Sequence, residues 1–218
     1  MATAHAGCTA EGDNRVLMVK VCKDMITNIT KKGHQLPQMT QCPFRQLGKS
    51  ADVTSLRSLL DLFKFRETVL FTRLIEKNKN LEKTLGKYQV LMRETSDLMQ
   101  NLSQCYGERH CLEFCIEQLG KLQNSENKNL LEKVFRLYGS DVIYRDLAFY
   151  MIEGVVSVEA SKNLSATRLQ LIKDIAPKCN DLFDCMSIPK HALYAPIAND
   201  YVKYNASPNY GEVIGAKM

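Results

Sequence analysis

The chain has 218 residues, a net charge of +5, 45% apolar and 24% charged residues, and no tryptophan. That length can bury one sizeable core, and that composition is globular rather than disordered. The basic residues are scattered among acids rather than gathered in the aromatic-studded stripe of a nucleic-acid face, and no apolar run approaches the ~20 residues that cross a bilayer.

The first predicted helix covers about Arg15 to Thr30. Met18, Cys22, Met25, Ile26 and Ile29 recur at spacings of three and four and make one apolar stripe. Asp13 or Asn14 is placed to cap it, and Gly33 to end it. Residues 33–51, with Pro37, Pro43 and Gly48, read as a connection. A second helix is expected from Val53 to Asn78, capped by Asp52 or Thr54, with Leu56, Leu59, Leu60, Phe63, Leu70, Leu74 and Ile75 inside. A third periodic run, Leu85 to Leu122, predicts one long bundle helix with an interruption near Gly107.

Ser125 opens a fourth helix that buries Leu130, Leu131, Val134, Phe135 and Tyr138 and passes through Gly139 to Ile152. Ser157 opens a fifth, which Pro177 must kink because proline lacks the N–H that the helix needs. Beyond Pro189 the pattern is loop-like. No segment alternates with period two for long enough to make a strand, so the expected class is all-α, a helical bundle.

The N-terminus has no charged region followed by an apolar one, so no secretory signal is expected. Without secretion, the eight cysteines read as reduced thiols and the sequons at Asn28, Asn101 and Asn163 as coincidences. Cys111 and Cys115 beside His110 have a spacing open to a metal, but small residues packed on a helix face are the stronger reading, and no metal site is expected. His110 reads as a core histidine held by a hydrogen bond.

Four stretches, in order, carry a resemblance. Cys8-Thr9-Ala10-Glu11-Gly12-Asp13-Asn14 leads into the first helix. Glu108-Arg109-His110-Cys111 and Phe135-Arg136-Leu137-Tyr138-Gly139 follow. Leu182-Phe183-Asp184 comes last, ahead of Ile188-Pro189 and Ala195-Pro196-Ile197. The set resembles the C-terminal region of the acyl-CoA oxidase family, and in particular its oxidase-like branch, within the acyl-CoA dehydrogenase superfamily. Departures are Ala10, where the family has an aromatic residue, Pro177 inside a usually unbroken helix, and Ala198-Asn199-Asp200-Tyr201-Val202 in place of a Gly-Arg-Tyr-Asp-Gly stretch.

The resemblance implies a division into residues 1–32, a remnant of the superfamily's helical domain with the Glu-Gly pair; 33–51, a linker; and 52–218, the oxidase C-terminal helical domain with its tail. It implies oxidation of a fatty acyl-CoA by FAD, with oxygen reduced to hydrogen peroxide in fatty-acid β-oxidation. Glu11 would then be the catalytic base, since the proton beside a thioester needs a carboxylate within hydrogen-bond reach. Without the resemblance, Glu11 is an acid near a helix start, where the dipole favours negative charge.

Gly12 lets backbone approach the substrate closely, while Asp13 and Arg15 become contacts to the cofactor; their plainer roles are turn, cap and solvated charge. With only ten residues ahead of Glu11, the domains that hold most of the flavin and acyl-CoA are expected to be missing, leaving this chain inactive alone. The alternative is a non-catalytic helical module that keeps the family's homodimer surface, or pairs with a longer family member. Ala216-Lys217-Met218 resembles Ser-Lys-Leu, the address read by the peroxisomal import receptor, and implies a peroxisomal protein.

Overall fold

The structure is a computed structural model and describes residues 14–36, 53–186, 189 and 201–206. The described residues are helical and include no strand, as the periodicity predicts. The chain divides into two compact units, residues 1–173 and 174–218.

In the first unit, α1 (Asn14–Lys32) buries Val19, Cys22 and Met25. Lys31 and Lys32 complement the negative end of its dipole. It ends where expected. Gly33 takes φ +70°, a left-handed turn that costs glycine little, and the His34 N–H donates to the Asn28 carbonyl at 3.1 Å.

α2 (Leu56–Leu81) begins one residue later than a Thr54 cap would place it and three later than an Asp52 cap would. Ser55 caps it, its hydroxyl accepting from the Ser58 N–H at 3.2 Å. This helix is central: it packs against α3 (Ser96–Lys121) and α4 (Ser125–Arg145). It therefore buries more than one face, including Asp61, Arg66, Glu67 and Asn78 among its apolar residues.

The long third run is broken, but not at Gly107, which α3 carries straight through. Instead a short turn, Lys87–Gln89, leads into a π-helical turn, Val90–Glu94. Thr95 closes it by donating both its N–H, at 3.0 Å, and its hydroxyl, at 2.9 Å, to the Val90 carbonyl.

α4 is capped by Asn124, which accepts from the Asn127 N–H at 3.0 Å. The fourth predicted helix also divides. Asp146, at φ −113°, separates α4 from α5 (Leu147–Ile152). α6 (Val158–Ile175) has the expected opening, with Ser157 accepting from the Ala160 N–H at 3.1 Å. The six cysteines among the described residues are free thiols, with Cys22 and Cys105 buried. Burial pushes each of those two thiols up to about 12.

Two apolar clusters fill the first unit. One gathers Leu59, Leu62, Phe63, Leu112, Ile143, Tyr150 and Leu164; the other gathers Cys22, Leu70, Leu74, Met99 and Leu102, and Phe149 packs against both. Gly139 sets how closely α4 approaches α2: a Cβ there would lie 3.1 Å from Leu59 Cδ1 and 3.3 Å from Leu59 Cβ. Gly139→Val therefore forces that packing apart and lowers the unfolding free energy by about 1–3 kcal/mol. Urea denaturation at an unchanged midpoint would show that the approach is not tight.

In the second unit, Pro177 sits in a 3₁₀ turn, Ala176–Lys178, that precedes α7 (Cys179–Asp184). α6 thus ends just before the proline, where a kink within one helix was expected. The stretch after Pro189 is not wholly loop: α8 (Tyr201–Ala206) lies within it. It is only six residues long, below what apolar periodicity can register.

Candidate functional site

Of the residues singled out from sequence, Glu11, Gly12 and Asp13 lie outside the described residues, as do Ala216, Lys217 and Met218. Arg15 is described; it is exposed on the first turn of α1. What the structure does bring together is a belt of charges between α2 and α3, which periodicity alone did not reveal.

Arg66 and Glu67 are consecutive on α2, and Glu108 and Arg109 on α3, and they pair crosswise in charge. Arg109 Nε donates to Glu67 Oε2 at 2.5 Å and Nη2 to Oε1 at 3.3 Å, a two-point grip. Its Nη1 donates to Glu113 at 2.6 Å. Arg66 donates to Glu108, and to Asp146 at 3.2 Å. The guanidinium of Arg66 also lies 5.8 Å from the centre of the Phe63 ring. The side chains of Glu67 and Arg66 are only 1% and 5% exposed, so each depends on its partner for the solvation it has lost.

Burial alone would make the Arg109 guanidinium easier to deprotonate. The hydrogen bonds and charges of Glu67 and then Glu113 outweigh it and hold the group above its ordinary value. His110 is an exposed residue, not the core histidine expected from sequence. Its imidazole packs edge-on against Tyr106, with ring centres 4.3 Å apart. Its Nε2 lies 2.9 Å from Arg109 Nη2. Arginine can only donate, so Nε2 accepts. Loss of solvent and the adjacent Arg109 charge lower the His110 pKa.

Two cavities open on this belt. One, of about 300 Å³, is lined by Arg66, Cys105, Glu108, Arg145, Asp146 and Phe149. The other, of about 340 Å³, is lined by Ile29, His34, Glu67, Tyr106, Arg109 and Glu113. The cations in both already hold carboxylates: Arg145 reaches Glu108 at 3.7 Å, and Lys64 reaches Glu113 at 3.6 Å. The belt is thus neutral in sum and clamps α2 to α3. The sequence signal for it was the dipeptide Arg66-Glu67 set between Phe63, Phe65, Leu70 and Phe71. Charges amid so dense an apolar run need buried partners.

The acyl-CoA oxidase family profile matches residues 55–200, from the Ser55 cap through α7. The chain belongs to the acyl-CoA oxidase family. It is 24% identical over 224 residues to the peroxisomal acyl-coenzyme A oxidase 2 of Arabidopsis thaliana, covering 95% of this chain and 32% of that protein. The oxidase fold is also found in acyl-CoA oxidase 3 of Yarrowia lipolytica, at a TM-score of 0.73 and 18% identity over 91% of this chain and 30% of that one. Acyl-CoA oxidase 1 of the same yeast gives 0.71 and 19%, over 91% and 31%. The chain thus spans about a third of the length of the oxidases it matches. Glu108-Arg109-His110-Cys111, read as a family stretch, supplies half of the buried charge belt.

Proposed function

We propose that the chain is the C-terminal helical part of a peroxisomal, FAD-dependent acyl-CoA oxidase-like protein. The observation that carries this is the family match over residues 55–200, in a chain whose Glu11-Gly12 pair directly precedes α1. In this reading Glu11 accepts the proton from the carbon next to the thioester carbonyl, and its N–H donates to that carbonyl oxygen. Gly12 keeps the backbone close enough for both.

The described residues do not fit a flavin dinucleotide by themselves. The two cavities stand at the low end of small-molecule sites, and their arginines are already held by carboxylates. The flavin and most of the acyl-CoA surface are therefore assigned to the portions that the relatives carry beyond the matched third. The 218 residues alone should copurify without the flavin absorbance band and release no acyl-CoA-dependent peroxide. Flavin and peroxide from the chain alone would overturn this division of labour.

A second reading, a non-catalytic module that pairs with a second copy, is favoured by apolar residues left in solvent. Ile152 is 82% exposed and Val158 58%, on either side of the turn between α5 and α6. A monomer at all concentrations in sedimentation equilibrium would remove that reading.

For localisation we propose that Ala216-Lys217-Met218 is the receptor-read address. A fluorescent protein fused ahead of the chain should collect in peroxisomes, and removal of these three residues should leave it diffuse. Unchanged punctate fluorescence would place the signal elsewhere.

A further inference from the structure

The exposed imidazole of His110 leans on a buried arginine. Its Nε2 lies 2.9 Å from Arg109 Nη2, and its ring packs edge-on against Tyr106 with centres 4.3 Å apart. The Arg109 side chain is only 7% exposed, and its guanidinium lies 5.5 Å from the centre of the Tyr106 ring. All three residues line the cavity of about 340 Å³. The arrangement needs a neutral His110. Nε2 can accept from a guanidinium only while it carries no proton, so the ring proton sits on Nδ1.

We propose that His110 is a pH-operated lid on the Arg109–Glu67 pair, closed while the imidazole is neutral and swung into solvent once it is protonated. A proton on Nε2 removes the acceptor and sets two cations 2.9 Å apart. One of them must then move. Arg109 is anchored by two hydrogen bonds to the buried Glu67 and a third to Glu113. The imidazole is held by one hydrogen bond and the Tyr106 ring, and it already borders solvent. The ring is therefore the group that leaves.

Its neighbours do not stabilise the cation in place. On α3, Glu113 is taken by Arg109 at 2.6 Å. From α2, Glu67 gives both oxygens to Arg109, and Lys64 lies 3.6 Å from Glu113. His34, just after α1, lines the same cavity and adds positive charge when it is protonated. Both carboxylates are thus committed to other cations. Loss of solvent and then the Arg109 charge outweigh them and depress the His110 pKa. A histidine depressed in this way gives stability that is complete above its ordinary value of about 6.5 and is lost as pH falls through the folded-state value.

Proton and nitrogen NMR of the whole chain, titrated from about pH 8 to about pH 5, tests the lid. Among the four histidines, His110 should titrate below about 6.5 and show the Nδ1–H tautomer at the alkaline end. As it protonates, the ring-current shifts of its stack on Tyr106 should vanish, and the Arg109 Nε–H should exchange faster with water. The urea midpoint should fall through the same transition. His110→Gln, which cannot take the proton, should lose that fall, and His34→Gln should retain it. A His110 that titrates at or above about 6.5 overturns the proposal. So does an Nε2–H tautomer, a stack that survives protonation, or an unchanged acid step in His110→Gln. These outcomes are independent of the oxidase reading, because each is read on the chain's own spectra and stability.

Discussion

Replacing Arg109 with methionine lowers the unfolding free energy by about 3–5 kcal/mol, because it orphans a buried carboxylate. Glu67 is 1% exposed, and both of its oxygens are held by Arg109, at 2.5 and 3.3 Å. The glutamate is then left as an unpaired charge in the interior.

Glu67→Gln should cost less, since Arg109 keeps Glu113 at 2.6 Å, on a side chain that is 43% exposed. Removing both partners, Glu67→Leu with Arg109→Met, should recover most of the loss, because two desolvated charges disappear together. Urea denaturation of the unsubstituted protein, Glu67→Leu, Arg109→Met and the double variant closes the cycle. A double variant as unstable as Arg109→Met would mean that the belt is worth more than its charges.

The contrast between what the sequence revealed and what it concealed follows from the range of each interaction. The stripe of α1, the Gly33 stop and the Ser157 opening depend on residues within one or two turns, and all were legible; at Pro177 the disturbance was legible, but not that it ends the helix. The breaks at Thr95 and Asp146 were not. In both places the apolar period resumes on the far side, so the pattern reads straight through a local change of hydrogen bonding. Gly107 misled in the other direction: a glycine costs a helix about 1 kcal/mol, too little to break one held by packing on both sides. The charge belt was hidden for a third reason. Arg66 and Glu67 lie 42 residues from Glu108 and Arg109, a pairing that only the folded arrangement of α2 and α3 creates.

Glu11 stands at the opposite extreme. Nothing in periodicity distinguishes it from an acid at a helix start. It is legible only through the ordered stretches that resemble the oxidases, and the match over residues 55–200 covers the later stretches, not the one that carries Glu11. The whole functional account turns on this one carboxylate as the proton acceptor at the carbon beside a thioester.

The measurement that bears on it most directly is acyl-CoA-dependent peroxide release by this chain completed with the portions that its relatives carry beyond the matched third, with Glu11 intact and with Glu11→Gln; no release from the completed protein would contradict the account as well. The amide keeps the size and cannot take the proton. Flavin absorbance and acyl-CoA affinity should stay unchanged while turnover drops by roughly 10²–10⁴-fold, the usual worth of a positioned general base. Turnover within a few-fold of the unsubstituted protein, at equal flavin content, would contradict the account and leave Glu11 as an acid at the head of a helix.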